Sequence, residues 1–288
     1  MEPGIVVGVA ASAAGASALR WALAEAAVRR LPLTAVRAWM PTAFGAYYPV
    51  GIVMPEAMDG ALEAQALVDE QLALAREAVP GAGGISSQAV AIMGATAQVL
   101  VDAGRQAALV VVGTRGAGAL SRTVLGSVSS AVLHHGTGPV AVIPELPAQA
   151  GPLARVLVGV DHSEQSQAAV RFAVDHARRH GATLVPVFVQ ERVWAAGSPG
   201  THREQDVVVR QEVEQELLLD AVGATAAGLT VRPTVVSGQA AAALTAMVNQ
   251  QDVLVVGSRG RGGFASLLLG STSTQCAQHA SCPVIVIR

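Results

Sequence analysis

Two stretches of the chain place small residues where they could receive a polyphosphate. In GTRGAGALSRTVLGS, Gly113 and Gly116 are followed after nine residues by Gly126 and Ser127. In GSRGRGGFASLLLGS, Gly257, Gly260, Gly270 and Ser271 repeat that spacing. Each part of the pattern suits an anion. A glycine at a strand end can take a positive φ and lets the backbone approach a ligand closely. A second glycine opens a turn whose N–H groups can face an anion. The final glycine and serine start a helix, where unpaired N–H groups and the positive dipole end attract phosphate. Arg115 and Arg259 lie inside the loops, able to reach a phosphate or solvent. The same residues also fit a plain glycine-rich connection in which Ser271 is an ordinary N-cap.

Other chemistry is thinly represented. All 19 basic residues are arginine, so the lysine that a Walker A loop, a protein kinase or a Schiff-base enzyme requires is missing. Cys276 and Cys282 are too few for a disulfide framework and stand in no metal-ligand spacing, which predicts buried structural thiols in a reducing compartment. His134 and His135 have no acidic partner at a catalytic spacing and are expected late in a helix. Ser12 and Ser163 carry no nucleophile-elbow signature.

The elements that must position these residues are written twice. Ile5 to Arg30 matches Val156 to His180, with Gly8, Ser12 and Arg20 answering Gly159, Ser163 and Arg171. Later, Gly94, Gly113 and Pro139 answer Gly238, Gly257 and Pro283. The halves diverge between about residues 40 and 90, as a loop would. The first half reads GIVVGVA as a strand, Ala16–Arg30 as a helix, LTAVRAW as a strand and Glu56–Val79 as a helix stopped by Pro80. SSQAVAIM, a helix over Ala95–Gln106, the strand ALVVVG, a helix from Ser127 to His135 and the strand PVAVIP complete it. The second half repeats the series and closes on PVIVIR. Continuous apolar strands alternating with helices predict α/β architecture, with two tandem open doubly wound sheets, mainly parallel and five-stranded. Expected domains are 1–146 and 153–288, joined across the Pro/Ala/Gly-rich ELPAQAGPLA. Ligands in such folds bind beyond the carboxyl ends of the strands at the switch in strand order, and both glycine stretches follow a fourth strand.

On GVDHS, the paired Gly-x2-Gly-x9-Gly-Ser loops and the closing CPVIVIR, nearly the whole chain resembles the universal stress protein family, in its tandem-domain, ATP-binding form. The resemblance implies a Rossmann-like, adenine nucleotide alpha hydrolase-like fold, and ATP as ligand with Mg²⁺. It implies nucleotide contacts from Asp161, Val189, Gly257, Gly260, Gly270, Ser271 and Thr272 in the second half. Ala38, Gly113, Gly116, Gly126, Ser127 and Val128 are their counterparts in the first. Asp161 is also the candidate for holding Mg²⁺ through water. It further implies pairing through the last strands, relating the two halves by a pseudo-twofold axis. The first half departs from the pattern. GVAAS puts Ala10 where the second half has Asp161, and a methyl group accepts no hydrogen bond. DHSEQS is also a good helix start, in which Asp161 or Ser163 could act simply as a cap.

With no base placed to orient water at a γ-phosphate, the expectation is a regulatory or sensory ATP-binding module with at most slow hydrolysis. The alternative is a slow ATPase or nucleotide-processing enzyme of the same superfamily. An ATP pyrophosphatase would carry an SGGxDS-like loop where this chain reads VAASAAG and VDHSEQS. A scaffold with vestigial sites would not need the glycine spacing. A net charge of −2 gives no case for nucleic acid or an anionic membrane. No apolar run approaches a membrane span, and MEPGIVVGVA lacks a signal-peptide n-region, so a cytoplasmic protein is expected. Because 51% of residues are hydrophobic and only 14% charged, some surface is expected to be covered in a homodimer.

Overall fold

The computed structural model describes residues 3–41, 55–116, 125–148, 151–190, 204–260 and 269–288. It divides into two compact units, Met1–Ala148 and Gln149–Arg288. The middles of both glycine stretches lie outside the described residues.

In the first unit the elements run β1 (Ile5–Gly8), α1 (Ala13–Arg29), β2 (Leu33–Trp39), α2 (Pro55–Ala78), β3 (Ser87–Met93), α3 (Thr96–Ala103), β4 (Leu109–Gly113), α4 (Ser127–His135) and β5 (Val140–Ile143). Within this unit the strands lie in the order β3-β2-β1-β4-β5, all parallel. From β1 the chain steps outward through β2 to β3, then crosses back to β4 and continues to β5. Right-handed crossovers therefore send α1 and α2 to one face and α3 and α4 to the other; α1 packs on α2, and α3 on α4. The core is aliphatic: Ile5, Leu19, Leu23, Leu33, Leu100, Leu109, Leu133 and Ile143 are fully buried.

The second unit repeats the plan with β6 (Arg155–Val160), α5 (Glu164–His180), β7 (Thr183–Gln190), α6 (Glu204–Val222), β8 (Thr234–Ser237), α7 (Ala240–Met247), β9 (Asp252–Gly257), α8 (Ser271–His279) and β10 (Val284–Ile287). Its strand order is β8-β7-β6-β9-β10, again parallel. Thus the expected doubly wound α/β architecture is present in both units. No helix among the described residues is long and apolar enough to cross a membrane.

Local differences from the sequence reading have clear causes. Helix α1 starts three residues before the expected Ala16 because Ser12 caps it, its hydroxyl accepting the Gly15 N–H at 3.0 Å. Helix α3 stops at Ala103 and tightens into a 3₁₀ turn over Gly104–Gln106. His134 and His135 do fall in the last turn of α4, where a cation is favourable. Both cysteines are buried and free.

Candidate functional site

Strand order reverses between β6 and β9, and between β1 and β4. The turn after β6 and the loop after β9 therefore meet at the carboxyl ends of neighbouring strands. In the second unit the turn presents Asp161. Its Oδ1 accepts the Ser163 N–H at 3.0 Å and the Ser163 hydroxyl at 2.5 Å. Ser163 in turn accepts the Ser166 N–H at 3.1 Å, and so is the N-cap of α5. Capping thus falls to Ser163, and Asp161 fixes the cap. The second carboxylate oxygen, Oδ2, fills the space a Cβ on Gly260 would take, well inside 3.0 Å. The fold therefore closes the loop's second glycine onto the acid at the end of β6.

The loop's frame is the same in both units. Ser258 N–H donates to Ile287 O at 2.6 Å and Gly270 N–H to Ser258 O at 2.7 Å; Thr114 N–H donates to Ile143 O at 2.9 Å and Gly126 N–H to Thr114 O at 2.8 Å. Gly270 and Gly126 are the N-caps of α8 and α4, and neither helix start has a side-chain cap. Ser271 is consequently not the N-cap considered above. Ser271 and Ser127 are the first helical residues and exposed, with Thr272 and Val128 next, half-buried. Neither helix has an acidic residue in its first turn. Each keeps a cluster of N–H donors and a positive dipole end suited to an anion.

The first glycine of each motif is required for a different reason from the one expected. Neither Gly113 nor Gly257 has a positive φ. A Cβ on Gly257 would lie 3.0 Å from the carbonyl carbon of Gln165; on Gly113 it would lie 2.9 Å from the carbonyl oxygen of Ala14. The strand end is bare because the first turn of α5, or α1, packs directly on it. The close approach is by a helix backbone.

Two residues beside the site were not found from sequence. Ser273, buried, donates to Gly257 O at 2.7 Å, and Ser129, also buried, donates to Thr114 O at 3.2 Å. Each ties its helix start to the loop frame. The doubled GSTS and GSVS would have flagged them. His162, next to Asp161, takes a left-handed φ of 62°. Its ring lies 5.4 Å from that of Phe188, and its Nε2 is 3.4 Å from Glu214 on α6.

Val189 and Ala38 sit near the ends of β7 and β2, paired with Val236 and Ile92, one strand out from the turn. In the first unit the acid is absent, and a Cβ on Gly116 meets nothing within 4 Å. Ser12, lacking a carboxylate to serve, donates its hydroxyl to Arg115 O at 3.0 Å and holds the loop directly. Arg37 occupies the position of Phe188 and donates to Val9 O at 3.3 Å. A single carboxylate already accepting two hydrogen bonds fits a ribose hydroxyl, or a Mg²⁺ ion reached through water; it does not make an all-protein cation cage.

A family model described as the universal stress protein family matches residues 4–144 and 153–288. A universal stress protein of Mycolicibacterium smegmatis is 34% identical over 293 residues, covering 100% of this chain and 97% of its own length. One from Mycobacterium tuberculosis is 34% identical over 296 residues, covering 99% and 96%. Among solved structures, a universal stress protein from Archaeoglobus fulgidus shares the fold, with a TM-score of 0.67 at 21% identity over 100% of this chain and 97% of that one.

Proposed function

The chain belongs to the universal stress protein family, and on that premise we propose that it is an ATP-binding regulator, holding Mg-ATP at the strand ends of its second unit and more weakly at those of its first. The observation that carries this reading is the closure of Gly260 onto the Asp161 carboxylate beside the uncapped start of α8. An acceptor for ribose and a row of N–H donors for phosphate then lie at one switch point. Val189 supplies backbone for the base. Asp161 accepts from the ribose and holds Mg²⁺ through water. Arg259, Gly257, Gly260, Gly270, Ser271 and Thr272 surround the phosphates. In the first unit Gly113, Gly116, Gly126, Ser127 and Val128 keep the phosphate frame, with Ala38 at the base, but Ala10 withholds the acceptor.

Binding stabilises the loop and the following helix by mass action, so occupancy can be transmitted to an assembly state. The protein works in the cytoplasm as a homodimer of tandem-domain chains 1–146 and 153–288. The apolar residues exposed on α2 and α6, among them Leu62, Leu74, Val213 and Leu217, are surface that such an association would cover.

The test is to denature freshly purified protein and identify the released nucleotide by chromatography, for wild type and for Asp161→Ala. Wild type should release an adenine nucleotide and the variant should release less. Losing a hydrogen bond to a charged group corresponds to roughly ten- to a hundredfold in affinity. Calorimetric titration should give the two units affinities separated by that factor. No adenine nucleotide, together with no thermal stabilisation by added ATP, would overturn the proposal.

A further inference from the structure

The strand ends of the second unit lie in a fixed row, β7, β6, β9, β10, and each presents one group. Val189 stands at β7, Asp161 at β6, Gly257 and the loop at β9, and Arg288 immediately after β10. Neighbouring strands are about 4.8 Å apart, so the row spans roughly 14 Å. A base over β7 and a sugar at Asp161 direct a phosphate chain past β9 towards β10. The far end of that path is cationic. Ser258 N–H is bonded to Ile287 O at 2.6 Å, which sets Arg259 and Arg288 one residue beyond either side of a single hydrogen bond. Gly270 N–H is bonded to Ser258 O, so the start of α8 is at the same place. Arg288 is partly buried there, and burial together with the neighbouring Arg259 charge holds its guanidinium below its ordinary value. Arginine nonetheless keeps its charge in proteins, so two like charges and a helix dipole share one spot. Two guanidinium groups beside a helix N-terminus suit an anion.

We propose that Arg288, together with Arg259, is the terminal-phosphate contact of the second unit and makes it selective for nucleoside triphosphates over monophosphates. This rests on the nucleotide-binding reading above. A monophosphate placed by Asp161 and Gly260 ends at β9 and does not reach Arg288. A triphosphate does. The first unit has the same backbone frame, but Pro144 follows β5 where Arg288 follows β10, so it has no such discrimination.

The test titrates the full chain with ATP and with AMP, as wild type, Arg288→Gln and Arg288→Lys. Arg288→Gln should weaken ATP at the tighter site by roughly ten- to a hundredfold, the range for one charge-assisted hydrogen bond, and leave AMP unchanged. Arg288→Lys should recover much of the loss. On wild type, ATP but not AMP should protect Arg288 from phenylglyoxal, a readout that does not depend on the variants folding. Equal loss of ATP and AMP in Arg288→Gln, no loss of either, or equal protection by both would overturn this inference alone. Failure of wild type to bind either nucleotide would overturn the functional reading and this inference with it.

Discussion

Asp161 and Gly260 are far apart in sequence and meet only because two loops leave adjacent strands. Their contact makes a steric prediction. In Gly260→Ala the new methyl overlaps the Asp161 carboxylate, which Ser163 holds through two hydrogen bonds. Binding at the second unit should fall and its thermal midpoint should drop. The matching change Gly116→Ala meets nothing within 4 Å and should leave the first unit's stability unaltered. Adding Asp161→Ala to Gly260→Ala should recover most of the lost stability, a coupling that a double-mutant cycle by thermal melting would measure. Additive effects would show that the two residues do not share the space. Glycine spacing and the acid were both legible in the sequence. Which glycine answers to the acid, and which to a helix, was not, because that depends on contacts between distant segments.

Among the elements, those with local causes could be read most closely. Strand β2 occupies the same seven residues, Leu33–Trp39, that its β-branched and aromatic run indicates. Helices α4 and α8 begin at the serine after the motif's last glycine in both units. Less visible was how β6 and β9 are fastened at the end away from the site. Arg155 donates to Asp252 at 3.0 and 2.6 Å and to Met247 O at 3.0 Å, while the fully buried Asp252 also accepts the Asn249 N–H at 2.8 Å. In the first unit Gly4 and Ala108 meet through backbone alone at 2.8 Å. Arg155→Met strands a buried carboxylate and should cost about 2–3 kcal/mol, below the usual range for a fully buried pair because Arg155 is 35% exposed. Asp252→Asn in the Arg155→Met background should recover part of that loss. Urea unfolding followed on the second unit's transition would measure both, and an unchanged midpoint in Arg155→Met would refute the assignment.

For the molecule as a whole, composition decides the response to alkali. There is no lysine, and only two tyrosines, so few groups change charge between neutral pH and the arginine range. Two that do are Cys276 and Cys282. Burial pushes each thiol up to about 12 from an ordinary 9.0, with Asp252 adding to the effect on Cys282. Above pH 9 the unfolded chain releases protons that the folded chain keeps. The thiols' contribution to stability should therefore be level below about pH 9 and fall from there to about pH 12, by up to about 1.4 kcal/mol per thiol per pH unit. Denaturant midpoints measured across that window should show the decline, and Cys276→Ala/Cys282→Ala should flatten it. A limb equally steep in the double variant would assign it to other groups.

Gly113 and Gly257 lie under a helix turn whether or not anything is bound beyond them. Losing a ligand would not release either position to vary. In a duplicated chain, the scaffold thus holds the first glycine of the motif in either copy. The two copies differ in the acid one strand away, so a survey of tandem relatives that counts glycines alone would not tell them apart.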